Sequence, residues 1–381
     1  MLVPVFAATL ISLTLSCQNI RLMAKDGSVV IGRSLEFSEV PVAASNWLVT
    51  EPVGHTHVMP QLPNCNKPFT FSNKHKVVKF QVMYGGEWAN TTLGGMNDMG
   101  LSSSTLYFTA YAEFKDRYFF KGAKCLSAVP QTKLTSYVLA MYSSVKDIKK
   151  DLKNKKFPKV WDQEDLGNPT IPVHFVFHDS SGKGLVLEYT KNGMKYFDNT
   201  VGAMTNSPDY EWHMTNLRNY PTVQRQEFEG FQYSHLGNDY TYDPKWVGTG
   251  FSGLPGDYSS PSRFIKAATF VSHSGEIDDA DQAVTRMFHM MNAADIPKGI
   301  LSAGKFADED GVKREHVDYT WWISVYDLRR KCTYYRGYDD LSVKRVCLDG
   351  IPDEPAAIIV DEGFENGFTD KTSELNVMSE E

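Results

Sequence analysis

The chain has 381 residues, 42% of them hydrophobic and 13% aromatic, enough apolar side chain for one large core or two smaller ones. Its formal charge of −7 collects at one end: residues 353–381 hold nine acidic side chains against one lysine, so the remaining body is close to neutral. A near-neutral body has no strong field to steer it toward nucleic acid or an anionic membrane, and no long apolar run follows the first sixteen residues.

Residues 1–16, MLVPVFAATLISLTLS, are apolar and uncharged. The run is shorter than the roughly 20 residues of a spanning helix. Thr14 and Ser16 are small residues placed as a signal peptidase requires, so a cut between Ser16 and Cys17 is expected. That makes residues 1–16 a signal peptide and the product secreted, periplasmic or lysosomal, with no stable membrane anchor. A lipid-modified Cys17 is the alternative, and the bulk of Leu15 speaks against it. A mature chain starting at Cys17 carries a thiol and a free α-amine on one residue, a nucleophile together with its base.

Asp26-Gly27 is a hairpin turn signal between IRLMA and SVVIGR. Over residues 131–153, Leu134, Val138, Tyr142, Val145, Ile148 and Leu152 make a helical stripe with a lysine-rich last turn. Residues 173–198 read as a three-stranded meander, VHFVF, LVLEY and MKYF, separated by DSSGKG and KNG. A second helix is predicted from Asp278 to Asn292, with acidic residues in its first turn and an apolar face including Val284, Met287 and Met291. YTWWISVY and KCTYYRG form a last pair of strands around a polar turn at Asp327. Residues 17–352 are expected to make one domain, an α+β assembly of antiparallel sheets with helices on their outer faces. Residues 353–381 are an acidic segment with a disordered end.

Beside Cys17, four cysteines remain: Cys65, Cys125, Cys332 and Cys347. Three pairings are open, and Cys332 with Cys347 would staple neighbouring strands. Reduced, buried thiols are the other reading. Asn90-Thr91-Thr92 is a glycosylation sequon.

Cys17 followed by Arg33 in VIGRSLEF resembles the start of the choloylglycine hydrolase family, linear amide hydrolases of the N-terminal-nucleophile superfamily that include bile salt hydrolases and penicillin V acylases. Three further segments are similar in order: GGMNDMGLSSSTLYF (94–108), VGAMTNSPDYEWHMTNLRNY (201–220) and GLPGDYSSPSRFIKA (253–267). The resemblance covers nearly the whole mature chain and implies a four-layer αββα sandwich with no cofactor.

It also implies roles. Cys17 would be the nucleophile and its own α-amine the base, with unperturbed pKa values of roughly 8.5 and 7.7–8.0. Asn206 would donate its side-chain amide to the oxyanion, a contact worth about 2.7–4 kcal/mol in the transition state. Tyr107 stands where a backbone N–H is the second donor; bile salt hydrolases tend to have Asn there and penicillin V acylases an aromatic residue. Arg33 and Arg263 would hold the thiolate and the network around it. The family's aspartate near the terminal amine is replaced by Glu36, whose extra methylene is expected to preserve an amine–carboxylate contact with altered geometry.

Each residue alone has an ordinary structural role. Asn206 before Ser-Pro begins a turn, Arg33 and Arg263 are surface or first-turn charges, and Tyr107 is core. Only their joint order behind a processable cysteine favours chemistry. Gly248 to Gly253 fits a dinucleotide-binding string, but Leu-Pro-Gly-Asp follows and no early βαβ unit exists. His55 and His57 lack a third metal ligand at useful spacing, so no metal is expected. No Gly-x-Ser-x-Gly elbow is present.

The expectation is therefore an enzyme that hydrolyses a small-molecule amide with an apolar acyl group. Tyr107 inclines it toward penicillin V-like or N-acyl amides. Conjugated bile salts or ceramide-like lipids are the alternatives, and a retired binding protein on this scaffold is the alternative of another class. The acyl pocket is expected in loops including residues 38–60, with Val40, Val42, Trp47 and Leu48. A tetramer or dimer is expected from the resemblance alone.

Overall fold

The computed structural model describes residues 16–38, 44–84, 87–163, 171–227, 230–242, 248–307 and 312–360. The leader up to residue 15, Val40, Val42, the side chain of Asn90 and the acidic end beyond residue 360 lie outside them.

Two antiparallel sheets form the centre. The first runs in the spatial order Ala203–Met204, Cys17–Met23, Val29–Ser38, Lys313–Asp327, Cys332–Gly337, Lys344–Cys347, with Leu301–Ala307 also paired to the long Lys313–Asp327 strand. The second runs Gly193–Asp198, Gly184–Thr190, Val173–Asp179, Leu101–Tyr107, Glu87–Asn97, Val77–Tyr84, Ala44–Glu51, Ala356–Ile359. The hairpin at Asp26-Gly27, the meander over 173–198 and the final strand pair form as the sequence predicts.

The sheets face one another across an apolar layer in which Phe80 of the second stacks on Trp322 of the first, ring centroids 4.5 Å apart. Helices α1 (Leu134–Met141) and α2 (Val145–Lys153) cover the outer face of the second sheet over a core of Leu134, Val138, Ile148 and Phe175. After α3 (Tyr210–Leu217), helices α4 (Ser260–Ser272) and α5 (Ala280–Asn292) cover the first. The order of layers is αββα. Gly32 lets α5 lie flat on its strand, since a Cβ there would stand 2.4 Å from Met287 Sδ.

Three expectations are corrected. The stripe over 131–153 is two helices, because Ser144 turns extended and caps α2 by accepting from Asp147 N. Helix α3 has no counterpart in the sequence reading; Asp209 caps it, and only Tyr210 and His213 are buried along it. The fold also runs past residue 352, since Ala356–Ile359 pairs with Ala44–Glu51 as an edge strand. The cysteines resolve as Cys65–Cys125 and Cys332–Cys347, the latter pair directly opposite on adjacent strands, and Cys17 is free.

Candidate active site

Strand pairing sets the geometry around Cys17. Cys17 lies opposite Leu35 and Asn19 opposite Arg33. Alternation along a strand therefore puts the Cys17 and Arg33 side chains on the same face as diagonal neighbours. That face looks toward the second sheet, where Arg33 Nη2 donates to Thr105 O at 2.8 Å and Asn19 Nδ2 to Ser104 Oγ at 3.1 Å. Arg33 Nη2 stands 3.6 Å from Cys17 Sγ. The guanidinium is fully buried, lies over the Trp322 ring at 4.9 Å and donates through Nη1 to Ser34 O. Gly94 packs beside it, and a Cβ there would lie 3.1 Å from the Tyr326 hydroxyl and 3.4 Å from Arg33 Cδ.

Asn206 enters from the other end of the sheet. Its Oδ1 accepts from Cys17 N at 2.7 Å and from Arg263 Nη2 at 2.7 Å, while Nδ2 donates to Tyr107 O at 2.9 Å. Arg263, in the first turn of α4, also donates through Nη1 to Cys17 O at 2.7 Å and through Nε to Tyr258 O at 2.9 Å. The structure thus brings Cys17, Arg33, Tyr107, Asn206 and Arg263 together. Arg33 alone of the two arginines touches the thiol; Arg263 holds the backbone of residue 17 instead.

Glu36 lies beside the peptide that joins Ser16 to Cys17. One position from Leu35, it faces the opposite side of the sheet from the thiol. Its N–H donates to Ser16 O at 2.9 Å, and its Oε1 accepts from Thr320 Oγ1 at 3.4 Å. The expected amine–carboxylate contact concerns a chain that starts at Cys17, whereas Ser16 is attached here. That nitrogen is a peptide N–H here, with one hydrogen, and Asn206 takes it. Complete burial pushes the Glu36 carboxyl up to about 7, against the pull of Arg263 and Arg33. Burial likewise lowers Arg263 and raises the Tyr107 phenol.

Sequence reading missed the supporting residues. Ser260 Oγ accepts from Asn206 N at 2.9 Å, and Thr320 Oγ1 accepts from Ile296 N at 2.9 Å. Both are common residue types with no local signature. The pocket expectation needs revision too: Trp47 and Leu48 are neighbours on one strand and face opposite sides, and only Leu48 joins the buried core that contains Cys17.

The H-x-H pair has a third neighbour after all. Glu51, on the strand before it, places a carboxylate oxygen with the ring nitrogens of His55 and His57 inside 4.8 Å. Lys79 Nζ donates to Glu51 Oε1, however, and Asn73 bonds both Glu51 and His57. Burial pushes the Glu51 carboxyl up, yet Lys79 and His57 bring it well below the usual carboxylate range. The lysine already supplies the counter-charge that a cation would bring.

Comparison with known proteins gives consistent matches. The sequence model described as linear amide C–N hydrolases, choloylglycine hydrolase family, matches residues 17–351. The bile salt hydrolase/transferase of Clostridium perfringens is 27% identical over 338 residues, 87% of this chain and 92% of that protein. The bile salt hydrolase/transferase of Bifidobacterium longum is 24% identical over 334 residues, covering 87% of this chain and 95% of its own. Among solved structures, a variant of the conjugated bile acid hydrolase from Clostridium perfringens has a TM-score of 0.73 at 25% identity, covering 92% of this chain and 98% of its own. The penicillin V acylase from Agrobacterium tumefaciens has a TM-score of 0.64 at 18% identity, covering 88% and 87%.

Proposed function

Because the chain belongs to the choloylglycine hydrolase family of linear amide C–N hydrolases, we propose that it cleaves conjugated bile-salt-like amides, a bulky apolar acid joined to a small charged amine. The observation that carries the reading is the convergence on Cys17 of Arg33, Asn206 and Arg263 from three separate segments. The substrate class is supported by the Clostridium perfringens and Bifidobacterium longum relatives, which cover most of the chain and carry bile salt hydrolase names. The penicillin V acylase likeness lies at 18% identity and speaks to the fold alone. Tyr107 is the one observation favouring an acylase substrate, and it yields to the relatives.

Removal of residues 1–16 on export frees the Cys17 amine. That amine accepts the thiol proton, and Sγ attacks the amide carbonyl. Asn206 Nδ2 carries two hydrogens; one bonds Tyr107 O, and the second serves the oxyanion, joined by the Tyr107 backbone N–H. Collapse breaks the C–N bond, the ammonium returns its proton to the leaving amine, and a thioester remains on Cys17. Water then attacks the thioester, releasing the acid and restoring the thiol.

Two measurements test this. Intact mass of the exported protein should match a start at Cys17. Steady-state rates should favour glycocholate over penicillin V; the reverse order overturns the substrate class, and a retained leader overturns the mechanism.

A further inference from the structure

Asn206 is held by more than its side chain. Its carbonyl oxygen lies 2.9 Å from His213 Nε2, and the preceding carbonyl, that of Thr205, lies 2.9 Å from His174 Nε2. The two rings thus hold two successive carbonyls of the Thr205–Asn206 backbone. Carbonyl oxygens only accept, so both rings hold their hydrogen at Nε2. His213 is buried in α3, and burial, with Arg263 and His174 nearby, lowers its pKa to about 4 and keeps it neutral.

Each ring is also fixed by an aromatic partner. His174 stacks on Phe108 with centroids 4.5 Å apart, and His213 on Phe264 at 4.5 Å. Phe108 follows Tyr107 in the chain, and Phe264 follows Arg263. Glu188 backs His174, with Oε1 3.5 Å from its Nδ1, and accepts from Tyr210 N at 2.9 Å. The two imidazoles therefore tie the segments of Asn206, Tyr107 and Arg263 into one frame.

We propose that His174 and His213 are positioning residues, which set the Asn206 amide for the oxyanion by clamping two successive carbonyls of its backbone. The proposal rests on the amidase reading. Asn206 Nδ2 must present its hydrogen at one point, and a displacement near 1 Å at such a site costs about a hundredfold in rate. Ring packing alone would not require a donor at Nε2; the clamp does.

Substitutions at residue 213 separate the two roles. His213→Phe keeps the stack on Phe264 and loses the donor. His213→Gln places an amide N–H the same number of bonds from Cβ as Nε2. His213→Asn places one at the Nδ1 level, away from the Asn206 carbonyl. On glycocholate the Phe and Asn variants should lose kcat by about tenfold to a hundredfold with KM within about twofold, and Gln should recover most of the loss. Equal losses in all three, or full kcat in the Phe variant, overturns the clamp. Crystal structures of the variants read it without turnover: the 2.9 Å contact from Asn206 Nδ2 to Tyr107 O should be lost in Phe and kept in Gln. An unmoved Asn206 in the Phe variant overturns the proposal even if the wild type proves inactive on glycocholate, a result that would bear only on the substrate.

Discussion

The side chain of Asn206 meets the backbone nitrogen of Cys17 at 2.7 Å, across 189 positions of sequence. One oxygen thereby ties the first strand to the segment that follows Ala203–Met204, and Arg263 meets the same oxygen. Asn206→Ala should lower kcat by about a hundredfold to a thousandfold, the usual consequence of losing an oxyanion donor. Stopped-flow acylation measured beside a thermal melt separates this loss from unfolding; an acylation rate within tenfold of wild type would remove Asn206 from the mechanism.

Glu36 gives a stability prediction with a definite sign. The unfolded carboxyl ionises near its ordinary value of 4.5, and the buried one near 7. Between those values the unfolded state has released its proton and the folded state has not, so stability falls as pH rises through that window. In the chain that retains Ser16, Glu36→Gln should remove this slope, and its melting temperature should gain on wild type from pH 5 to pH 7. Parallel melting curves across that range would mean the carboxyl is ionised in the fold.

The Lys79–Glu51 pair is buried and joins two strands of the second sheet. Glu51→Gln leaves an ammonium without its charge partner and should cost about 3–5 kcal/mol, whereas Lys79→Met with Glu51→Met together should be nearly neutral. Urea unfolding of the two variants beside wild type checks this order. Equal losses in the single and double variants would show that the pair's hydrogen bonds to Asn73 and Ser136, not its charge, matter most.

The Cys332–Cys347 bridge closes a separation of 15 residues. Replacing both cysteines by alanine should lower stability by about 3 kcal/mol through the larger freedom of the unfolded chain. The Cys65–Cys125 bridge spans 60 residues and its loss should cost more. Melts with and without reductant give the order, and a larger loss at the shorter loop would point to native packing as the main effect.

Much of the fold was legible where period and turn chemistry agree. Asp26-Gly27 marked a hairpin, the turns DSSGKG and KNG marked the 173–198 meander, and four ordered motifs carried the family. The rest failed for stated reasons. One apolar stripe runs on through Tyr142 and Val145, so periodicity cannot see that Ser144 breaks the helix. Helix α3 buries too few side chains to show a stripe. The strand Ala356–Ile359 sits inside an acidic stretch whose composition masks it. Glu51 joins His55 and His57 only because a strand end brings it back beside them. At the site, the residues were legible but not the face each one takes: Glu36 keeps the carboxyl the motif needs yet points away from the thiol.

Cys17 lies inside a sheet, paired on one side to Val29–Ser38, in a strand also joined to Ala203–Met204. Its working end is therefore buried in the fold, and this governs handling as much as chemistry. An affinity tag, fusion partner or surface linkage set ahead of Cys17 would withhold the amine that the proposed reaction uses. The strand Ala356–Ile359 belongs to the edge of the other sheet, and attachments belong beyond it.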